Sequence, residues 1–218
     1  MFRPFRILVI GGLALLIYTA FFALPPESAT TKTFDADLVA NYEMETWKAA
    51  KVHSELPIFV NATMMVRAQQ RLTWFRAAQE GYSLARALNG FVDLTSRYER
   101  VLPDLEDAAA AQKAGTDATF EPASVARAQL NWMVTTRMEN LNATEQVATL
   151  MAEEYGMRFH VRPDQVYDAA VPRAEAFKMW LMAPVDPDYQ TIGKLLIESH
   201  RALRAGLDRA RAPRAAVQ

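Results

Sequence analysis

Three histidines, at positions 53, 160 and 200, are the side chains best placed to ligate a metal or to move a proton near neutral pH. They fall on three separate segments. A carboxylate-bridged di-iron bundle needs paired Glu-x-x-His motifs, so that acid and imidazole leave the same helix face. None occurs. His53-Ser-Glu55 and Glu198-Ser-His200 place the two groups two positions apart, on opposite sides of a helix, so neither is a local chelate. The expectation is three surface or boundary histidines.

With no cysteine anywhere in the chain, disulfides, thiolate metal sites, iron–sulfur clusters, covalent haem attachment and thiol nucleophiles all drop out together. Methionine is frequent, and soft Cu(I) sites use its thioether. However, Met64, Met65, Met133, Met138, Met151, Met179 and Met182 fall mostly on apolar helical stripes, where methionine fills irregular gaps. Gly193-Lys194 follows no glycine-rich loop, which rules out a phosphate-binding loop, and no nucleophile elbow is present. Asn61-Ala-Thr63 and Asn142-Ala-Thr144 match the glycosylation acceptor pattern but lie inside expected helices. No residue is therefore assigned as catalytic, cofactor-binding or metal-ligating, no cofactor is expected, and the chain is read as a non-enzyme.

Two residue classes point to surfaces rather than to chemistry. Arginines at 67, 71, 76, 86, 97 and 100 follow one long helical stretch, and the pairs Arg67/Arg71 and Arg97/Arg100 share a helix face. These four are the candidate partner surface, suited to acidic partners or lipid headgroups. The tryptophans, at 47, 74, 132 and 180, are spread one to each helical stretch; the expectation is packing within the domain, with a partner-facing position for some as the alternative, since tryptophan is enriched at interface hot spots.

The elements that would carry these residues begin with the N-terminal run Ile7–Leu24, ILVIGGLALLIYTAFFAL, which holds no charge. As a helix it would be about 27 Å long, close to the ~30 Å hydrocarbon thickness of a bilayer. It exceeds the apolar core of a cleavable signal peptide, and small residues at the −3 and −1 positions are missing near its end. Arg3 and Arg6 precede the run, and Lys32 is the only base in the twenty residues after it. The positive-inside rule then places residues 1–6 in the cytoplasm, 7–24 across the membrane as an uncleaved anchor, and the remainder outside, periplasmic if the cell is bacterial. Gly11, Gly12 and Ala20 would let another membrane helix approach the anchor closely.

Residues 25–37 read as a linker, 38–211 as a helical exterior domain and 212–218 as a flexible tail. Within the domain the first helix is expected from Asp37 to about Leu56, with Leu38, Tyr42, Val52 and Leu56 on one side, Trp47 near that face, and Pro57 breaking or kinking it. A stretch from Ile58 to Leu102 repeats apolar residues at three- and four-residue steps through Met65, Ala68, Leu72, Phe75, Ala78 and Tyr82. Pro103 opens a further turn, with Gly115 as its C-terminal cap. A third long helix spans about Pro122 to Tyr155 and ends at Gly156, and Met157–Arg162 reads as a connection. Pro172 interrupts the next segment. The last helix runs from about Pro187 to Ala210 on a stripe of Ile192, Leu195, Leu196, Leu203 and Leu207. The expected fold is all-α: one transmembrane helix, then an antiparallel bundle of three to five helices.

Net charge is −1, which supplies no basic field for phosphates and argues against nucleic acid as a partner. The expected partners are membrane lipid, through the anchor, and one or more proteins at the membrane. An anchor, a large helical surface and no site chemistry together imply an accessory, scaffold or assembly subunit of a membrane or envelope complex. The alternative is a membrane-anchored sensor or ligand-binding bundle, which a large apolar pocket between the helices with a few converging polar groups would favour. An enzyme with an unrecognised site ranks below both.

Overall fold

A computed structural model describes residues 33–138, 144–183 and 186–211. The Ile7–Leu24 run, with Gly11, Gly12 and Ala20, lies outside them. Among the described residues no helix is long and apolar enough to cross a membrane.

These residues are all-α, without strands. The helices are α1 (Ala36–Lys51), α2 (Glu55–Gln70), α3 (Trp74–Asp93), α4 (Leu102–Gly115), α5 (Pro122–Met138), α6 (Thr144–Phe159), α7 (Tyr167–Met182) and α8 (Tyr189–Arg211), with short 3-10 turns at Tyr98–Val101 and Pro163–Gln165. Each helix packs against the next in sequence, and α8 returns to pack against α1, so the array closes on itself. Phe177 of α7 sits near the middle, its ring 5.5 Å from Trp47 of α1, 6.5 Å from Phe91 of α3 and 4.9 Å from Trp132 of α5. The Trp180 indole N–H donates to the Trp47 carbonyl at 2.9 Å, which satisfies its only donor inside the core.

The eight helices exceed the three to five expected because local breaks divide the long apolar stretches. Arg71 adopts a left-handed φ of 56° and ends α2, although nothing about an arginine announces such a stop. Thr73 then caps α3 by accepting from the Arg76 N–H at 3.4 Å. The expected break at Pro57 is instead a helix start: Pro57 lies in the first turn of α2, where the missing N–H has no intrahelical partner to lose. Pro172 sits inside α7 without interrupting it. The stretch from Pro122 to Tyr155 divides into α5 and α6, and α6 runs through Gly156 to Phe159. Pro103 does fall in the first turn of α4, as its sequence position predicts.

The first helix also turns a different face inward. Val39, Ala40, Glu43, Thr46, Trp47 and Ala50 of α1 are buried, whereas Leu38, Val52 and Leu56 are exposed. The i, i+3, i+4 rhythm is present, but Glu43 and Thr46 occupy two of its positions and hide it from a purely apolar reading. In α3 the buried row of Ala77, Glu80, Gly81, Ala87 and Phe91 likewise includes a carboxylate, while Phe75 and Tyr82 face outward.

Two helix ends are capped from elsewhere in the fold. Arg137 of α5 donates to the Leu94 and Phe91 carbonyls at 2.6 and 3.1 Å, closing the C-terminus of α3. Lys51 of α1 donates to the Trp180 and Ala183 carbonyls at 3.3 and 2.7 Å, closing α7. Both place a cation at the negative end of a helix dipole.

Candidate functional site

The buried charges converge on the interior. Glu43 and His200 are each 2% exposed. Glu43 Oε2 lies 2.6 Å from His200 Nε2, and Glu43 Oε1 accepts from Arg173 at 2.6 Å. Arg173 donates from its other terminal nitrogen to the Tyr155 hydroxyl at 2.6 Å. One chain of polar contacts thus joins α8, α1, α7 and α6. Beside it Arg158 of α6 reaches Glu154 and, across to α4 and α5, Gln112 and Gln129 (3.0 Å). Further out, Gln70 of α2 donates to Glu80 of α3 at 2.6 Å.

Burial pushes the Glu43 carboxyl up, but the Arg173 charge, the His200 contact and the Arg173 hydrogen bond outweigh it and hold the group down to about 2. Both of its oxygens are engaged and it is sealed from solvent. With its pKa held low and both oxygens hydrogen-bonded, it is a weak proton acceptor near neutral pH. Burial raises the Tyr155 hydroxyl. Glu80 is the opposite case: burial dominates, the Gln70 hydrogen bond and the Arg158 charge only partly offset it, and the carboxyl rises to about 7.

A cavity of about 80 Å³ lies between α1, α2, α3, α4, α5 and α7, with Glu43, Gln129, Trp132 and Arg173 among its walls. Two buried nitrogens of its lining residues, Trp132 Nε1 and Arg173 Nε, have no acceptor in the protein. A second concavity, about 540 Å³ and open to the surface, lies between α2 and α3 and is lined by Leu56, Phe59, Tyr82, Arg86 and Asn89.

The four arginines singled out from the sequence divide into two places. Arg67 and Arg71 are exposed at the C-terminal end of α2, with the Arg67 guanidinium 4.2 Å over the Trp74 ring. Arg97, left-handed at φ 57°, and Arg100 are exposed beyond the other end of α3. That helix is about 30 Å long, so the two pairs do not form one patch. Of the histidines, His53 lies 3.1 Å from Asp93 at the surface and His160 is exposed, but His200 is a core residue, contrary to expectation. Of the tryptophans, Trp47, Trp132 and Trp180 are buried and Trp74 is exposed. Among the described residues no group of three or more His, Asp or Glu side chains could hold a metal ion.

Sequence reasoning passed over Glu43, Glu80, Arg173 and Trp132 as a set. The one available clue was a carboxylate falling on the buried helical spacing at 43 and again at 80. Compared with protein-family models, curated proteins and solved structures, the chain finds no match.

Proposed function

We propose that the chain is a non-enzymatic accessory or assembly subunit of a membrane or envelope complex, anchored through Ile7–Leu24 and docking its partner on the outer face of α2 and α3. What supports the docking role is one observation: Leu56 and Tyr82, which line the α2–α3 groove, keep 70% and 55% of their surface exposed, although the bundle has a closed core of its own. Large apolar side chains left exposed along one groove suit an interaction site. A groove between two helices with aromatic walls, here Phe59 and Tyr82 with rings 6.3 Å apart, suits the apolar face of an amphipathic partner helix. What supports the anchor is the uncharged run itself with its flanking charges.

The test is to solubilise native membranes in mild detergent, recover the chain by a C-terminal tag and identify stoichiometric companions, then repeat with a Leu56→Asp/Tyr82→Asp variant. The expected result is a defined complex that the variant loses while keeping its melting temperature. Recovery of the wild-type chain alone and monodisperse would overturn the proposal. A second reading, a membrane-anchored ligand-binding bundle, is favoured by the polar-edged cavity at the centre.

A further inference from the structure

The connection between α2 and α3 gathers arginines and exposed aromatic rings at one corner of the bundle. From Leu56 to Gln79 the sequence holds three charged residues, Arg67, Arg71 and Arg76, and no acid. All three are exposed, as are Trp74 and Phe75, at 37% and 40%. Among the described residues none of the three arginines is in an ion pair. Their partners are neutral: the Arg67 guanidinium lies 4.2 Å over the Trp74 ring, and Arg76 donates to Gln79 at 3.4 Å. Uncompensated arginine beside exposed tryptophan is the side-chain mixture favoured where lipid headgroups meet water.

This corner lies at the end of the bundle where the chain enters it. α1 and α2 have 16 residues each, are joined by the short connection Val52–Ser54 and pack on each other, so they run antiparallel and the end of α2 returns to the level of Asp35. His53, in that connection, lies 3.1 Å from Asp93 at the C-terminus of α3, which puts the start of α3 at the entry end as well. Between Leu24, where the uncharged run stops, and Thr33 stand residues 25–32 alone, and eight residues reach at most about 29 Å. Neighbouring helix axes are about 10 Å apart, so α3 stands within about 20 Å of α1. With Ile7–Leu24 across a bilayer, the entry end is held next to the lipid surface, and the α2–α3 corner with it.

We propose that this corner is a lipid contact, in which Arg67, Arg71 and Arg76 meet anionic phospholipid headgroups while Trp74 and Phe75 enter the interfacial layer. An arginine that gives up no carboxylate on arrival keeps its full attraction to an anionic surface. The proposal rests on the Ile7–Leu24 anchor. It leaves the groove lined by Leu56, Tyr82 and Arg86 open to a protein partner, because those residues lie further along the hairpin, away from the corner. Arg97 and Arg100, beyond the C-terminus of α3, stand at the opposite end and take no part.

The test uses the full chain in phosphatidylcholine vesicles, with or without phosphatidylglycerol, whose acyl chains carry bromine as a tryptophan quencher. None of the four tryptophans falls in Ile7–Leu24, and Trp47, Trp132 and Trp180 are buried, so the quenching that disappears in Trp74→Phe reports this corner. Expected is Trp74-dependent quenching that rises with phosphatidylglycerol and falls at high salt. Arg67→Gln/Arg71→Gln/Arg76→Gln should lose it, and Arg97→Gln/Arg100→Gln, at the far end, should keep it. Flotation with the vesicles after a carbonate wash reads the anchor separately. If the chain floats and Trp74 is not quenched, the anchor stands and the lipid contact is overturned; shielding of Trp74 from acrylamide in that case assigns the corner to a second copy of the chain. Equal losses in the two arginine variants, or quenching indifferent to phosphatidylglycerol, would overturn it too. If carbonate strips the chain from the vesicles, the anchor falls and the lipid contact with it.

Discussion

Glu43 Oε2 lies 2.6 Å from His200 Nε2, although 157 positions separate the two residues. The contact ties the first described helix to the last and fixes the seam at which the ring of helices closes.

Removing the Glu43 charge should be costly. Glu43→Gln leaves Arg173 buried without its counter-charge, and breaking such a pair costs about 3–5 kcal/mol. The pH dependence has a definite sign. The carboxyl titrates at about 2 in the folded chain against an ordinary 4.5, so its stabilisation is fully present above 4.5 and is lost as pH falls toward 2. The difference corresponds to about 3 kcal/mol. Urea unfolding between pH 2.5 and 6 checks both points: the wild type should weaken across this range and Glu43→Gln should lose that part of the slope.

Glu80 should behave in reverse. Its carboxyl is raised to about 7, so the folded chain keeps the proton more tightly than the unfolded one, and stability is lost as pH rises from about 4.5 through 7. Glu80 Oε2 and Gln70 Oε1 both lack a partner, and a protonated carboxyl could supply the hydrogen between them. Glu80→Gln, an uncharged isostere, should therefore gain on the order of 3 kcal/mol over wild type at pH 8 and differ little at pH 5. Denaturation at the two pH values decides this, and equal effects at both would contradict it.

Gly81 marks the close approach of α2 and α3. A Cβ added there would lie 2.5 Å from Thr63 Oγ1 and 2.7 Å from the Thr63 Cα, so the backbone itself would have to move. Gly81→Ala, normally favourable in a helix, is expected to destabilise by about 1–3 kcal/mol, measured as a lowered urea midpoint.

The anchor is tested by extraction. The full chain should stay with membranes through an alkaline carbonate wash and be released only by detergent, whereas a chain lacking Ile7–Leu24 should appear in the soluble fraction. Release of the intact chain by carbonate would contradict the anchor.

Much of the local structure was legible in the sequence. The start of α4 at Pro103 and the α8 stripe through Ile192, Leu196, Leu203 and Leu207 follow from proline chemistry and from a 3.6-residue period, both encoded within a few neighbouring residues. The α2–α3 boundary was not legible, because Arg71 takes a left-handed conformation that its side chain does not favour. Nor was the inward face of α1, where Glu43 and Thr46 interrupt the apolar rhythm.

By itself the sequence determined that residues 33–138, 144–183 and 186–211 are mostly helical, that the chain lacks thiol chemistry, and that it carries an uncharged apolar run at Ile7–Leu24. Only the tertiary structure decided that Glu43, Tyr155, Arg173 and His200 form one buried set, that Arg137 and Lys51 cap helices far from their own, and that Trp132 faces a shared cavity. The physical reason is range. Helix periodicity and capping act over three or four residues, whereas the partners that let Glu43 and Arg173 be buried arrive from other helices. No local pattern records where that partner lies.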